Sequence, residues 1–246
     1  MMRDLLIRTP LRRIYRLWWE HRYGVRPNDV FLVSYPRSGN TWVRFMLLQA
    51  RPEFREPDFK RIEEIIPDMH SPRAWFQSAR TNLVKSHLCH WQPFRRVVYL
   101  VRDGRAAAWS NWRYQLDEGV FQGSFADFLS SPTWPSTWGQ HVSGWVGARE
   151  TRLVVRYEDL VANPVGELEK ITTLLGWACP RERLARIAAA STRERMKTME
   201  DRERIRLHRV GTGKRSWRED FSPELEQSFL DGLPPAAMPF LVPCAS

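Results

Sequence analysis

The stretch Tyr35-Pro36-Arg37-Ser38-Gly39-Asn40-Thr41-Trp42 decides how this chain folds. It follows the apolar run Val30–Val33 and precedes an apolar-rich segment from Trp42 to Leu48, which predicts a strand, a tight loop and a helix. A helix start presents unpaired backbone N–H groups and a partial positive charge, so it can bind a phosphate. The loop therefore predicts an enzyme that handles a nucleotide, with an ordinary strand-to-helix turn as the alternative.

This loop differs from the Walker A loop of NTPases, which ends in a Gly-Lys-Ser/Thr run. Here Gly39 is followed by Asn40, and the cation, Arg37, stands before the glycine. The sequence therefore predicts a phosphate site that lacks the Mg²⁺-binding geometry of an NTPase. A P-loop kinase or NTPase stays open as the alternative function.

Composition indicates one globular domain with an anionic partner. The chain has 246 residues and a net charge of +10, from 38 Lys+Arg against 28 Asp+Glu. The excess is largely arginine, which suits two-pronged recognition of phosphate or sulfate. A non-catalytic binder of nucleic acid or of an acidic membrane is a further alternative. Three widely spaced cysteines and the lack of a membrane-spanning run predict a cytoplasmic protein without metal.

The N-terminal segment, residues 1–28, is basic and aromatic, and residues 29–246 are predicted to form the α/β domain. Within the segment, apolar side chains recur at helical spacing between arginines: Leu11, Ile14, Tyr15 and Trp18. The favoured interpretation is a helix that packs this side on the domain. Peripheral membrane contact through residues 1–20 is the alternative.

Strand patterns alternate with helix patterns along the rest of the chain. Strands are predicted at 30–33, 83–85, 96–101 and 153–157, and helices at 42–48, 60–66, 105–114, 138–149, 165–175, 181–190 and 223–230. Residues 117–137 are predicted as a loop, and residues 191–216 as a highly charged stretch with a loop at Gly211 and Gly213. This order predicts a single α/β domain whose central, mostly parallel sheet is flanked by helices. Ligands of such sheets bind at the carboxyl ends of strands.

Two further groups of candidate residues follow predicted strands. Arg102 ends a buried strand and Ser110 lies eight residues on, so a guanidinium and a hydroxyl could bind one phosphate; a salt bridge from Arg102 to Asp103 is the alternative. Lys85 and His87 follow another strand, where the histidine could remove a proton and the lysine could stabilise transferring charge.

Together these motifs resemble the sulfotransferases that use 3′-phosphoadenosine 5′-phosphosulfate (PAPS). The stretch quoted first resembles the family's 5′-phosphosulfate loop, YPKSGTTW, although Arg37 replaces its lysine and Asn40 a threonine. The other similar segments follow in family order between residues 30 and 222: KSHL from Lys85, RDGRAAAWS from Arg102, WGQHVSGW from Trp138, RYEDL from Arg156, and RVGTGKRSWREDF from Arg209.

The resemblance implies a site for each part of PAPS, without metal. The 5′-phosphosulfate is expected on a P-loop-like loop formed by Arg37, Ser38, Gly39, Asn40 and Thr41. The adenine is expected near Trp42, Tyr157 and Arg193, and the 3′-phosphate near Arg102, Ser110, Arg209, Val210 and Gly211. The catalytic residues are expected to be His87 as base, with Lys85 and Arg37.

The acceptor is not identified by any motif. Residues 51–80 and 117–137 are expected to bind it, and their aromatic side chains suit a small apolar alcohol or a sugar face: Trp75, Phe76, Phe121, Trp134 and Trp138. The expected partner is therefore a small-molecule or glycan acceptor and not a nucleic acid. The oligomeric state stays open.

Overall fold

The structure, a computed structural model, describes most of the chain. It covers residues 14, 17, 18, 21, 25–51, 59–69, 81–90, 94–131, 135–202 and 216–242. The predicted donor residues Arg209, Val210 and Gly211 lie outside this set, as do Trp75, Phe76 and Trp134.

Four parallel strands form the central sheet. They are β1 (Val30–Ser34), β2 (Leu83–Ser86), β3 (Val97–Val101) and β4 (Thr151–Arg156), in the spatial order β2-β1-β3-β4. After β1 the chain passes first to one side of this strand and then to the other, so the carboxyl end of β1 lies where the strand order reverses. Such a reversal leaves a crevice in which ligands of open α/β sheets bind.

Ten helices surround the sheet in the part of the chain described. They are α1 (Asn40–Ala50), α2 (Phe59–Ile65), α3 (Gly104–Asp117), α4 (Phe125–Ser130), α5 (Trp138–Val146), α6 (Tyr157–Ala162), α7 (Pro164–Leu175), α8 (Arg181–Ala190), α9 (Arg193–Arg202) and α10 (Pro223–Asp231). Two short 3-10 segments, Trp217–Glu219 and Pro235–Phe240, flank α10.

Both faces of the sheet are buried. Successive residues of a strand point to opposite faces, so they join different apolar clusters. Val30 and Leu32 of β1 join one apolar cluster with α1, α7 and α8. Phe31 and Val33 join a second cluster, which includes Trp138 and Trp145 of α5. Cover on both faces is typical of parallel sheets, and the predicted fold class is confirmed.

Several predicted boundaries are wrong. The predicted loop 117–137 contains α4, which begins at a capping box in which Ser124 and Asp127 bond each other's backbone N–H. The charged stretch 191–216 contains α9, for which long charged side chains are adequate formers. Tyr157 was predicted to end a strand but begins α6.

Four residues of the N-terminal segment, Ile14, Leu17, Trp18 and His21, are helical and exposed. Ile14 is 64% exposed and Trp18 is 56% exposed. The favoured interpretation, burial of this apolar side on the domain, is therefore wrong for these residues. No helix in the described part of the chain is long and apolar enough to cross a membrane.

Candidate active site

The loop between β1 and α1 turns sharply at two residues with positive φ, Arg37 (65°) and Gly39 (92°). A Cβ on Gly39 would lie 2.7 Å from Cδ2 of Tyr157, closer than packed carbon atoms approach. Glycine is therefore required here both by the backbone angle and by the ring against which it packs. Arg37 adopts the same region with a side chain, which costs free energy and is common where a loop binds a ligand.

The start of α1 is open to an anion. No described side chain caps it, and the first N–H groups of a helix, here those of Asn40, Thr41 and Trp42, have no partner within the helix. The Ser38 hydroxyl beside them is fully buried and has no hydrogen-bond partner among the described residues. A buried polar group without a partner is costly, and a bound phosphate oxygen would satisfy it. The loop therefore fits the predicted phosphosulfate.

Asn40 is turned toward the sheet. Its Nδ2 donates to the Leu32 carbonyl at 3.2 Å and to the Ser34 hydroxyl at 3.1 Å, while its Oδ1 lacks a partner among the described residues. The side chain therefore ties the helix start to β1. Its backbone N–H is the group available at the helix start.

Arg37 and Arg102, the two described arginines that the sequence assigned to the phosphates of PAPS, meet at this loop. Nη1 of Arg102 donates to the Arg37 carbonyl at 3.0 Å, and the Arg102 guanidinium lies 4.6 Å from the centre of the Tyr157 ring. Nε of Arg37 donates to the Ser110 hydroxyl at 3.3 Å. The alternative salt bridge is absent, because Asp103 pairs with Arg105 at 2.7 Å. The structure thus brings Arg37, Arg102 and Ser110 together.

Trp42 and Tyr157 also lie side by side, as the adenine prediction requires. Their ring centres are 5.8 Å apart in an edge-to-face arrangement, and Nε1 of Trp42 donates to the Ser191 carbonyl at 2.7 Å. Arg193, two residues beyond Ser191, is exposed at the first position of α9. The segment that precedes α9 is therefore anchored to Trp42.

His87 follows β2 and faces the end of β1. Its Nδ1 lies 2.7 Å from the Ser34 carbonyl, which can only accept, so Nδ1 bears the proton and Nε2 is left as the basic nitrogen. Burial, and secondly the nearby Lys85 cation, lower the pKa of His87 to about 3. The imidazole is therefore neutral at pH 7, as a general base must be.

A second histidine, His141 of α5, supports the first. Its Nδ1 is 2.8 Å from the Tyr99 hydroxyl and its Nε2 is 3.1 Å from the His87 carbonyl. Because that carbonyl only accepts, Nε2–H donates to it and Nδ1 accepts from the tyrosine. Burial lowers the pKa of His141 to about 4. Sequence reasoning missed this role, although His141 stands in the family-like WGQHVSGW segment.

Asp68 is the other residue that the sequence did not reveal. Its carboxylate binds the Lys85 ammonium, and both side chains are largely buried. Asp68 comes from the irregular excursion between α1 and β2, where no motif marked it. In contrast Trp138, expected among the acceptor aromatics, is buried; its Nε1 donates to the Arg102 carbonyl at 3.1 Å.

A metal site was not expected, and the described residues contain no group of three or more His, Cys, Asp or Glu that could bind one. The loop Arg37–Thr41, called the donor loop below, has cationic side chains around it. Three cationic side chains, those of Arg37, Lys85 and Arg102, lie around the ends of β1, β2 and β3.

Comparison with known proteins defines the class. A family model described as the sulfotransferase domain matches residues 27–232. The chain belongs to the sulfotransferase domain family, which confirms the predicted family and the predicted class of enzyme.

Individual relatives are more distant. Human sulfotransferase 2B1 is 28% identical over 207 residues, which cover 72% of this chain but only 54% of that protein. Mouse sulfotransferase 1B1 is 24% identical over 216 residues, covering 76% of this chain and 72% of the relative. The chain thus spans about half the length of the first relative and about three quarters of the second.

Two solved structures have the same fold. Mouse sulfotransferase SULT7A1 complexed with PAP has a TM-score of 0.63 at 22% identity, covering 84% of this chain and 83% of that one. Retinol dehydratase in a complex with retinol and PAP has a TM-score of 0.65 at 21% identity, covering 84% and 80%. These likenesses confirm the α/β architecture.

Proposed function

We propose that this chain transfers the sulfuryl group of PAPS to a hydroxyl or amine of a small molecule. The observation that supports this most directly is the uncapped start of α1 beside the unpartnered Ser38 hydroxyl, within a loop that matches the family pattern. The proposal assigns the 5′-phosphosulfate to the loop Arg37–Thr41. It assigns the 3′-phosphate to Arg102 and Ser110, with Arg209, Val210 and Gly211 as further predicted contacts.

The adenine is proposed to bind beside Trp42 and Tyr157. These two rings lie edge-to-face at 5.8 Å, and stacking on an aromatic face would stabilise a purine there. Arg193 stays a predicted contact, because a guanidinium can stack on a purine and its helix begins next to the residue that binds Trp42.

His87 is proposed as the general base. Nε2 receives the acceptor's proton while the acceptor oxygen or nitrogen forms a bond to sulfur, and the bond from sulfur to the donor's phosphate oxygen breaks with its electron pair on that oxygen. The Ser34 carbonyl accepts from Nδ1–H throughout, so it holds the ring and stabilises the imidazolium. Lys85 and Arg37 balance negative charge on the transferring group and the leaving phosphate.

The acceptor is proposed to be a small apolar alcohol. Retinol dehydratase, which has the same fold, has been solved in complexes with retinol and with androsterone; these are ligands of that protein. Phe121, from the predicted acceptor region, packs edge-to-face on Phe128 at 5.3 Å and supplies apolar surface. A glycan acceptor, the division at residue 28, membrane contact through residues 1–20 and a cytoplasmic location stay predictions.

Two measurements test this function. Calorimetry with the desulfated product PAP reports the donor site alone. Incubation with ³⁵S-labelled PAPS and a panel of alcohols, amines and glycans then reports transfer, with His87→Ala as the control protein. We expect heat of PAP binding in both proteins, and far less labelled product with His87→Ala than with the unmodified chain. No heat at millimolar PAP would overturn the proposal.

A further inference from the structure

The contact between Asp68 and Lys85 is fixed by the backbone. Lys85 N–H donates to the Pro67 carbonyl at 2.8 Å, and Met69 N–H donates to the Lys85 carbonyl at 3.0 Å. Pro67–Met69 therefore lies parallel to β2 and extends the edge of the sheet by one short bridge, Asp68 opposite Lys85. In this register the two side chains are neighbours on one face, where the carboxylate binds the ammonium.

A buried arginine fixes the position of Asp68 in turn. Arg44 of α1 is fully buried, and its guanidinium donates to the Ile66 carbonyl and, at 3.0 Å, to the Glu63 carboxylate. The same carboxylate accepts from the Asp68 N–H at 3.2 Å. The main chain around Asp68 is thus attached to the helix that begins at the donor loop.

The charged groups around His87 are few and act in opposite directions. Lys85 lowers the pKa of His87 and His141 lowers it further, whereas Asp68 and the Ser34 carbonyl raise it. Around Lys85, burial and Arg44 lower the pKa of the ammonium, while Asp68 and Glu63 raise it. Asp68 is therefore the carboxylate that favours positive charge on both groups.

We propose that Asp68 is a positioning residue for the sulfuryl transfer: its carboxylate holds the Lys85 ammonium beside His87 and balances the proton that His87 receives. The proposal rests on the function proposed above. Before transfer, Asp68 neutralises Lys85. Once the anionic sulfuryl group binds Lys85, the Asp68 carboxylate can stabilise the imidazolium, and it is the carboxylate among the described residues that raises the pKa of His87. Without it, the base would face a cation and gain a second positive charge in a partly buried site.

Asp68→Asn tests this role because it keeps the shape and removes the charge. We expect kcat to fall about 10- to 100-fold, within the usual worth of one charged contact in a transition state. PAP affinity should change less than about twofold, since the proposed role of Asp68 is at Lys85 and not at the phosphate loop Arg37–Thr41. The acid limb of the kcat–pH profile should move to lower pH, because the pKa of His87 falls when a nearby carboxylate is lost.

Three further variants sharpen the result. Asp68→Glu should restore most of kcat, and the exposed Asp231→Asn of α10 should leave kcat and the pH profile unchanged. In a double-mutant cycle, Asp68→Asn should cost less than about twofold once Lys85→Met is present, because it acts through that lysine. Fully additive losses would overturn the proposal.

A measurement on the free enzyme is independent of turnover. The chain has five lysines, so the titration of Lys85 can be followed by ¹³C NMR of labelled lysine and assigned with Lys85→Arg. In Asp68→Asn the pKa of Lys85 should fall further, because its counter-ion is lost. An unchanged lysine titration would overturn the role of Asp68. An active enzyme with that result would leave the proposed function intact, whereas a wild-type chain that binds no PAP would overturn the function itself.

Discussion

The donor side of the site, Arg37–Trp42 with Arg102 and Tyr157, is built mostly from one continuous loop. The acceptor side, Asp68, Lys85, His87 and His141, is assembled from three separate segments. On the donor side the helix start and the positive φ of Gly39 follow directly from local sequence. On the acceptor side each key contact joins residues that are far apart, such as Asp68 with Lys85 and His141 with the His87 carbonyl. A motif can therefore reveal the first kind of site more fully than the second.

This difference gives each side its own sensitivity to mutation. Changes on the donor side should alter nucleotide affinity, because its groups are proposed to contact the phosphates and the adenine. Changes on the acceptor side should alter turnover while nucleotide affinity is retained, because its groups are proposed to act on the proton and the transferring charge.

The largest effect is expected from His87→Ala on the acceptor side. Loss of a positioned general base should lower kcat by about 10²–10⁴-fold. The dissociation constant of PAP, measured by calorimetry, should change little, since His87 bonds the Ser34 carbonyl and lies apart from the start of α1. The exposed His21→Ala is the matched control and should have normal kcat. Near-normal turnover in His87→Ala would remove His87 from the mechanism.

The next effect is expected from Gly39→Ala on the donor side. The added methyl group would meet the Tyr157 ring at 2.7 Å and force a strained φ, so the loop must shift. We expect the dissociation constant of PAP to rise about 100-fold, which corresponds to the few kcal/mol that such strain costs.

Gly176→Ala separates the strain of a positive φ from the clash with a neighbouring ring as causes of weaker PAP binding. Gly176 also has a positive φ, 70°, but nothing lies within 4 Å of its would-be Cβ. This variant should cost about 1 kcal/mol of stability, measured by urea unfolding, and leave PAP affinity unchanged. If Gly39→Ala bound PAP as well as Gly176→Ala does, the close packing of the loop on Tyr157 would have no part in donor binding.

The sequence was sufficient for the sheet and for the phosphate loop because both depend on local patterns. Four apolar runs matched the four strands, and the loop motif placed Arg37, Gly39 and the start of α1 correctly. Helix α4 was missed because its six residues carry too little periodicity, although its capping box was visible at Ser124 and Asp127. Helix α9 was missed because its charged side chains show little apolar periodicity.

The unforeseen part of the site depends on tertiary packing. Asp68 becomes important only because Pro67–Met69 runs beside β2, and the sequence between α1 and β2 does not specify that pairing. His141 becomes important because the packing of α5 on the sheet brings its ring between Tyr99 and the His87 carbonyl. Trp138, in the same helix, was assigned to the acceptor but is buried, since helical spacing does not say which neighbour covers a ring.

Arg102→Ala should have a smaller effect than Gly39→Ala and should be specific to one phosphate. A charge-assisted hydrogen bond is worth about 1.5–3 kcal/mol, so PAP should bind about 10- to 100-fold more weakly. Adenosine 5′-phosphate, which lacks the 3′-phosphate, should lose much less affinity in the same titration. Arg152→Ala, an exposed arginine on β4, is the control. Equal losses for both ligands would show that Arg102 does not contact the 3′-phosphate.

The smallest effect concerns acid stability and again falls on the acceptor side. Burial lowers the pKa of His141 to about 4, whereas an unfolded histidine titrates near 6.5. Between these values the unfolded chain binds more protons than the folded one, so the free energy of unfolding falls as the pH is lowered from about 6.5 toward 4. In His141→Gln this loss should be smaller by about 1–3 kcal/mol across the same window, measured by urea unfolding.

The comparison of slopes tests His141 together with its effect on His87, whose pKa His141 lowers. His87, whose pKa is also lowered, remains in both and keeps part of the slope. The exposed His21→Gln is the control and should follow the wild-type curve. If His141→Gln lost stability with acid as steeply as the wild type, His141 would not be buried in its neutral form, and its contact with the His87 carbonyl would not be maintained in solution.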